Sequence, residues 1–171
     1  MPDMTIREHM RERLRAEADP EYREFHSRLL PGITGIVGVR TPVLRTLAKE
    51  LLKGDWKEYI SQVSAAWKAE GQGEDGVYYD ELILWGLCIC KGFKKWEDAA
   101  PYIIGFIPAI NNWAVCDIFC GSLKMAGRYR QEAWEFIQPY LESAQEYEIR
   151  FGVVMMSSHF EDVGHEKAAL R

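Results

Sequence analysis

A chain of 171 residues with 47% apolar and 27% charged residues is ordinary globular usage for about one domain, which excludes disordered and collagen-like classes. The formal charge of −5, from 21 Lys+Arg against 26 Asp+Glu, argues at face value against a nucleic-acid partner, because such domains usually carry a basic excess. No window approaches the ~20 consecutive apolar residues of a membrane span. The opening MPDMTIREHMRERLR has no apolar run after its charges that would read as a secretory signal, so a cytoplasmic protein is expected.

The polar–apolar rhythm predicts a helix over residues 3–18, interrupted at Asp19-Pro20, and a short helix from Pro20 to Leu30. Leu30 to Val39 holds the only β-branched cluster, but it contains glycines and has no second run to pair with, so it reads as a loop. Thr41-Pro42 is a helix start, with Thr as N-cap and Pro at the first helical position, and Gly54 is the stop. Asp55 caps the next helix, to about Ala69, and Glu70 to Gly76 reads as a flexible linker. An apolar helix runs from about Val77 to Lys91 and ends at Gly92; helices at about 95–108, 112–126, 131–143, 145–158 and 161–170 follow. The expected fold class is all-α, in a single domain.

Four cysteines, Cys88-x-Cys90 and Cys116-x-x-x-Cys120, lie in apolar segments and read as buried thiols in a reducing compartment. Their spacing, with no histidine near in sequence, does not match structural zinc sites. His9, His26, His159 and His165 have no partner motif for nucleophilic catalysis, and no glycine-rich phosphate loop is present. No metal or cofactor is expected.

Trp96-Glu97-Asp98-Ala99-Ala100-Pro101-Tyr102-Ile103 aligns with Trp134-Glu135-Phe136-Ile137-Gln138-Pro139-Tyr140-Leu141, 38 residues apart, and a fainter copy starts at Trp56. Periods near 40 with two helices per unit suit HEAT-like repeats, in which stacking buries faces that no helix pair can bury alone. The expected architecture is a curved helical solenoid. The helix after each Trp-headed one would line its inner face, which makes Tyr78 to Leu82, Asn112 to Asp117 and Tyr147 to Phe151 the site candidates, since each sets charges beside aromatics.

Trp113 and Asp117 stand one turn apart on one helix face, which continues through Gly121, Lys124 and Arg128. That stripe offers an indole platform, an acceptor, a gap and phosphate contacts; alternatively Trp113 is core and Asp117 pairs with Arg150. Five basic residues between Arg40 and Lys57, among them Arg45, Lys49 and Lys53, face only Glu50 and Asp55. Lys91, Lys94 and Lys95 cluster at the next corner, and Lys124 to Arg130 holds three cations and no acid. Glu70 to Glu81, by contrast, has five acids and no base. The charge is segregated, which matters more to a phosphate ligand than its sum.

Gly38-Val39-Arg40-Thr41-Pro42-Val43-Leu44-Arg45, Ile110-Asn111-Asn112-Trp113-Ala114-Val115-Cys116-Asp117 and Tyr147-Glu148-Ile149-Arg150-Phe151-Gly152-Val153 together resemble the AlkD-like DNA alkylation repair family, over about residues 5–160. The resemblance implies a HEAT-like solenoid with DNA in a concave basic groove, and a glycosylase that removes N3- or N7-alkylated purines from double-stranded DNA. It places Trp113 and Asp117 at the lesion with Arg150 nearby. The segregated cations Arg40, Arg45, Lys49, Lys53, Lys91, Lys94, Lys124 and Arg128 are the expected DNA contacts, and a monomer is expected. A second active-site tryptophan of the family comes from a helix further along, and no residue up to Arg171 matches it, so the chain is expected to lack about two C-terminal family helices. The other expectation left open is a catalytically inactive repeat protein that binds DNA or a protein partner.

Overall fold

The computed structural model describes residues 3–161. Those residues form nine α-helices and two short 3₁₀ turns, with no β-structure beyond an isolated bridge between Gln72 and Val77. None of these helices is long and apolar enough to cross a membrane. The chain forms two compact units, Met1–Gly92 and Phe93–Arg171.

The first unit contains α1 (Ile6–Ala16), α2 (Pro20–Leu29), α3 (Thr41–Leu52), α4 (Trp56–Glu70) and α5 (Tyr79–Gly92). Its centre is α5, buried at every position from Tyr79 to Cys90, which is why that stretch is apolar all round rather than striped. Helices α3 and α4 pack on it, and α1 packs on α4. Leu44, Leu47 and Leu51 of α3 and Leu82, Leu84 and Leu87 of α5 are buried in this unit, each burial being worth about 1.5 to 3 kcal/mol.

Capping follows the sequence unevenly. Thr5 caps α1 in a reciprocal box with Glu8, and Asp19 caps α2 ahead of Pro20. Thr41 is not a cap: it is the first residue of α3, the cap position belongs to Arg40, and no side-chain capping bond forms. Asp55 precedes α4 as expected but likewise makes no capping bond.

The segment from Glu70 to Gly76 is a hydrogen-bonded turn rather than a flexible linker. Gly73 N–H donates to the Val77 carbonyl, Val77 N–H to that of Gly71, and the Gln72 side chain donates to the carbonyl of Thr34 in the preceding loop. That loop, residues 30–40, is irregular as expected. The fully buried Asp80 carboxylate holds it, accepting from Val37 N–H at 2.7 Å and Val39 N–H at 3.1 Å. Between these two residues Gly38 has φ +94°, and a Cβ there would lie 2.5 Å from Arg23 Cβ, so only glycine fits.

The second unit contains α6 (Trp96–Phe106), α7 (Trp113–Ser122), α8 (Arg130–Leu141) and α9 (Glu146–His159), with 3₁₀ turns at Ile107–Ala109 and Lys124–Gly127. Helix α9 packs on both α7 and α8, around a cluster of Phe106, Phe119, Phe136, Tyr140 and Phe151 rings. Gly152 permits the approach of α8, since a Cβ there would lie 2.8 Å from Leu141 Cδ2. The helix expected at 161–170 lies, after Glu161, outside the described residues.

The Trp-headed repeat does not carry over to the helix starts. Trp56 and Trp96 open α4 and α6, whereas Trp134 is the fifth residue of α8, so Pro101 and Pro139 stand at different depths in their helices. Both prolines are exposed within helices that continue past them. All four cysteines are buried free thiols, as their apolar settings imply; burial pushes Cys88 up to about 12 and Cys90 higher still, so both stay protonated at neutral pH.

Candidate active site

Asn112 explains the geometry of the second motif. Its buried side chain accepts from Val115 N–H at 2.9 Å and so caps α7. This fixes Trp113 as the first helical residue and Asp117 one turn later. Trp113 is 39% exposed, which overturns the alternative that it is core. Asp117 is partly exposed and meets Arg150 from α9 in a bidentate pair, Nε to Oδ1 at 3.0 Å and Nη2 to Oδ2 at 2.8 Å. The Asp117–Arg150 pair that the sequence offers as an alternative therefore exists, and it sits beside an exposed indole.

Two parallel N–H···O bonds lock the carboxylate plane in a way that a single ammonium could not. The same hydrogen bonds raise the Arg150 guanidinium above its ordinary value against the opposing effect of burial. A carboxylate offers about four lone-pair sites, so the two that Arg150 occupies leave each oxygen able to accept from a water or to face a positive charge. Phe151 and Gly152, next in sequence, pack into the core and against α8. That packing holds Arg150 on the α7 side.

The stripe expected beyond Asp117 does not form. Helix α7 ends at Ser122 and the chain turns into a 3₁₀ segment at Lys124–Gly127, so Lys124 and Arg128 leave the face that Trp113 and Asp117 share. Leu123, fully buried with ψ 63°, makes that break.

The acidic candidates on α5 do structural work. Glu81 is fully buried and accepts from Arg7 Nε at 2.9 Å and Nη2 at 3.3 Å, and from Tyr78 N–H at 2.8 Å, with Arg11 Nε 3.6 Å away. Arg11 also lies over the Tyr78 ring, 3.9 Å from its centre. Asp80, whose carboxyl is raised by burial against the pull of Val37 and Val39 N–H, ties down the glycine loop. Sequence reasoning missed Arg7 and Arg11, whose signal was their spacing at i and i+4 on the face of α1 that turns to α4 and α5.

The expected DNA contacts divide. In the first unit Arg45, Lys49 and Lys91 line one cleft between α3 and α5, and Lys53 is exposed at the end of α3. Arg40 is exposed but committed to Asp19, with Nη2 to Oδ2 at 3.0 Å, and lies over the Tyr22 ring. In the second unit Lys94, Lys124 and Arg128 are exposed. Among the described residues no group of three or more His, Cys, Asp or Glu stands in an arrangement that could hold a metal ion.

A family model described as DNA alkylation repair enzyme matches residues 10–170. No curated protein and no solved structure matches the chain.

Proposed function

Starting from the DNA alkylation repair enzyme family, to which this chain belongs, we propose that it is a DNA glycosylase that removes N3- or N7-alkylated purines. The observation that carries this reading is the Asp117 carboxylate, clamped by Arg150 and open to solvent one turn from the exposed face of Trp113. In this reading the helices stack as a HEAT-like solenoid, and a monomer takes double-stranded DNA along a concave basic face.

An alkylated purine ring is cationic, so its glycosidic bond is already weak. When that bond breaks, the electron pair leaves with the base, which becomes neutral, and the positive charge passes to the sugar as an oxocarbenium ion. Asp117 faces that charge as it develops, and a docked duplex that excludes water strengthens the attraction. Water then attacks the sugar carbon and gives up a proton, which Asp117 is placed to accept. The Trp113 ring adds about 0.5 to 2 kcal/mol by facing the cation. Arg150 acts through the carboxylate, which it holds in one plane.

Arg45, Lys49, Lys53, Lys91, Lys94, Lys124 and Arg128 are the phosphate contacts in this reading, with Arg40 available only by sharing its guanidinium with Asp19. The test is incubation with a duplex that carries 7-methylguanine. Free base should appear with wild-type protein. Salt-sensitive duplex binding without release would overturn the glycosylase reading in favour of a non-catalytic DNA-binding protein.

A further inference from the structure

The cleft between α3 and α5 has a composition that phosphate contact alone does not require. It encloses about 370 Å³ and is lined by Arg45, Ala48, Lys49, Leu52, Leu87 and Lys91. Ala48 and Leu87 are buried and Leu52 is half-buried, so the floor is apolar; Arg45, Lys49 and Lys91 are exposed and form the rim. Among the described residues, no carboxylate lines the cleft. The nearest acid in sequence, Glu50, is turned to Arg13 at 2.8 Å.

A duplex backbone needs only cations at a surface. An apolar floor beneath three cations instead suits a ligand with an anionic end and a flat or hydrophobic body, and the volume lies in the range of small-ligand pockets, ~300 to 1,000 Å³. Low-dielectric walls focus the rim's potential on the bound anion. We propose that this cleft is a binding site for a nucleoside phosphate, with the phosphate on Arg45, Lys49 and Lys91 and the nucleoside on Ala48, Leu52 and Leu87. The choice of a nucleoside for the apolar half rests on the DNA reading above. Such a site would hold one nucleotide turned out of the stack, at a place separate from the Asp117–Arg150 pair.

The experiment is an amide NMR titration of the whole chain with inorganic phosphate and deoxyadenosine 5′-phosphate. The nucleotide should shift the amides of Ala48, Leu52 and Leu87 and bind about tenfold or more tightly than phosphate, as burial of an apolar body adds to the charge contacts. Lys49→Gln with Lys91→Gln, both at exposed positions, should weaken nucleotide binding by about tenfold or more. A duplex with one bulged adenine should shift the same floor amides, whereas a fully paired duplex should shift only the rim. If the free nucleotide moves the floor and the bulged duplex does not, the ligand is a free mononucleotide. The proposal is overturned if the nucleotide binds no tighter than phosphate, if the largest shifts fall outside the cleft, or if the double variant binds as wild type does. The glycosylase reading fails separately, by absence of base release from 7-methylguanine DNA while nucleotide binding in the cleft persists.

Discussion

Replacing Glu81 with alanine should unfold much of what holds α1 to the first unit. The carboxylate is fully buried and accepts three hydrogen bonds, two from Arg7 and one from Tyr78 N–H, with Arg11 close by. Breaking a buried ion pair by removing one partner costs ~3 to 5 kcal/mol, because the other charge is left uncompensated. Here both arginines keep some access to water, their side chains being 16% and 20% exposed, so the lower part of that range, about 3 to 4 kcal/mol, is expected. Glu81→Gln keeps one oxygen to accept from Tyr78 N–H but loses the charge and turns an amide NH2 toward an Arg7 donor, and should cost about 1.5 to 3 kcal/mol. Urea unfolding followed by far-UV circular dichroism reads both values. A loss below about 1 kcal/mol for the alanine variant would refute the structural role and return Glu81 to the list of candidate site residues.

Gly38→Ala should destabilise by about 1 to 3 kcal/mol, since it forces a positive φ on a Cβ that would strike Arg23; an unchanged thermal midpoint would contradict this. Burial holds the imidazoles of both His26 and His159 below the usual value of 6.5. As pH falls through 6.5 the unfolded chain takes up protons first, so stability is full above that value and declines as pH drops toward the lowered folded-state values. Urea midpoints measured across that window should therefore fall in wild type and flatten in His26→Gln with His159→Gln; a midpoint that rises on acidification would sink the assignment. Arg150→Lys should leave stability within about 1 kcal/mol, because the pair is part-exposed. The same change should slow base release about tenfold or more, because the planar fork is gone; equal rates would show that clamping Asp117 does not matter.

Much of the fold was legible because it rests on local chemistry. The polar–apolar rhythm of α1, the break at Asp19-Pro20 and the apolar run of α5 each announce an element through residues a few positions apart, whereas the Thr5–Glu8 box at the start of α1 went unread. What was not legible depends on partners far along the chain. Thr41 reads as a cap, yet the loop before it is held by Asp80 and by the Asp19–Arg40 pair, so α3 starts one residue earlier without a side-chain bond. Leu123 looks like one more apolar helix residue between Gly121 and Lys124. Burial of Leu123 and Met125 instead turns the chain into a 3₁₀ segment, and the cationic end of the expected stripe goes with it.

At the site, spacing gave Trp113 and Asp117 one face and offered the Asp117–Arg150 pair only with a core Trp113; the structure joins the pair, 33 residues apart in sequence, to an exposed Trp113. Charges beside aromatics marked both Glu81 and Asp117, and only burial separates them. Glu81 is sealed among arginines, whereas Asp117 is open to whatever docks on α7.

The most direct test of the central claim is the single-turnover rate of 7-methylguanine release from duplex DNA by wild-type protein and by Asp117→Asn. The variant keeps the shape and an acceptor for Arg150 while it removes the charge that faces the oxocarbenium ion. Wild type should release base, and Asp117→Asn should do so slower by roughly 10² or more, the scale of losing a preorganised electrostatic partner. Equal rates from the two proteins, at or near that of DNA alone, would contradict the account.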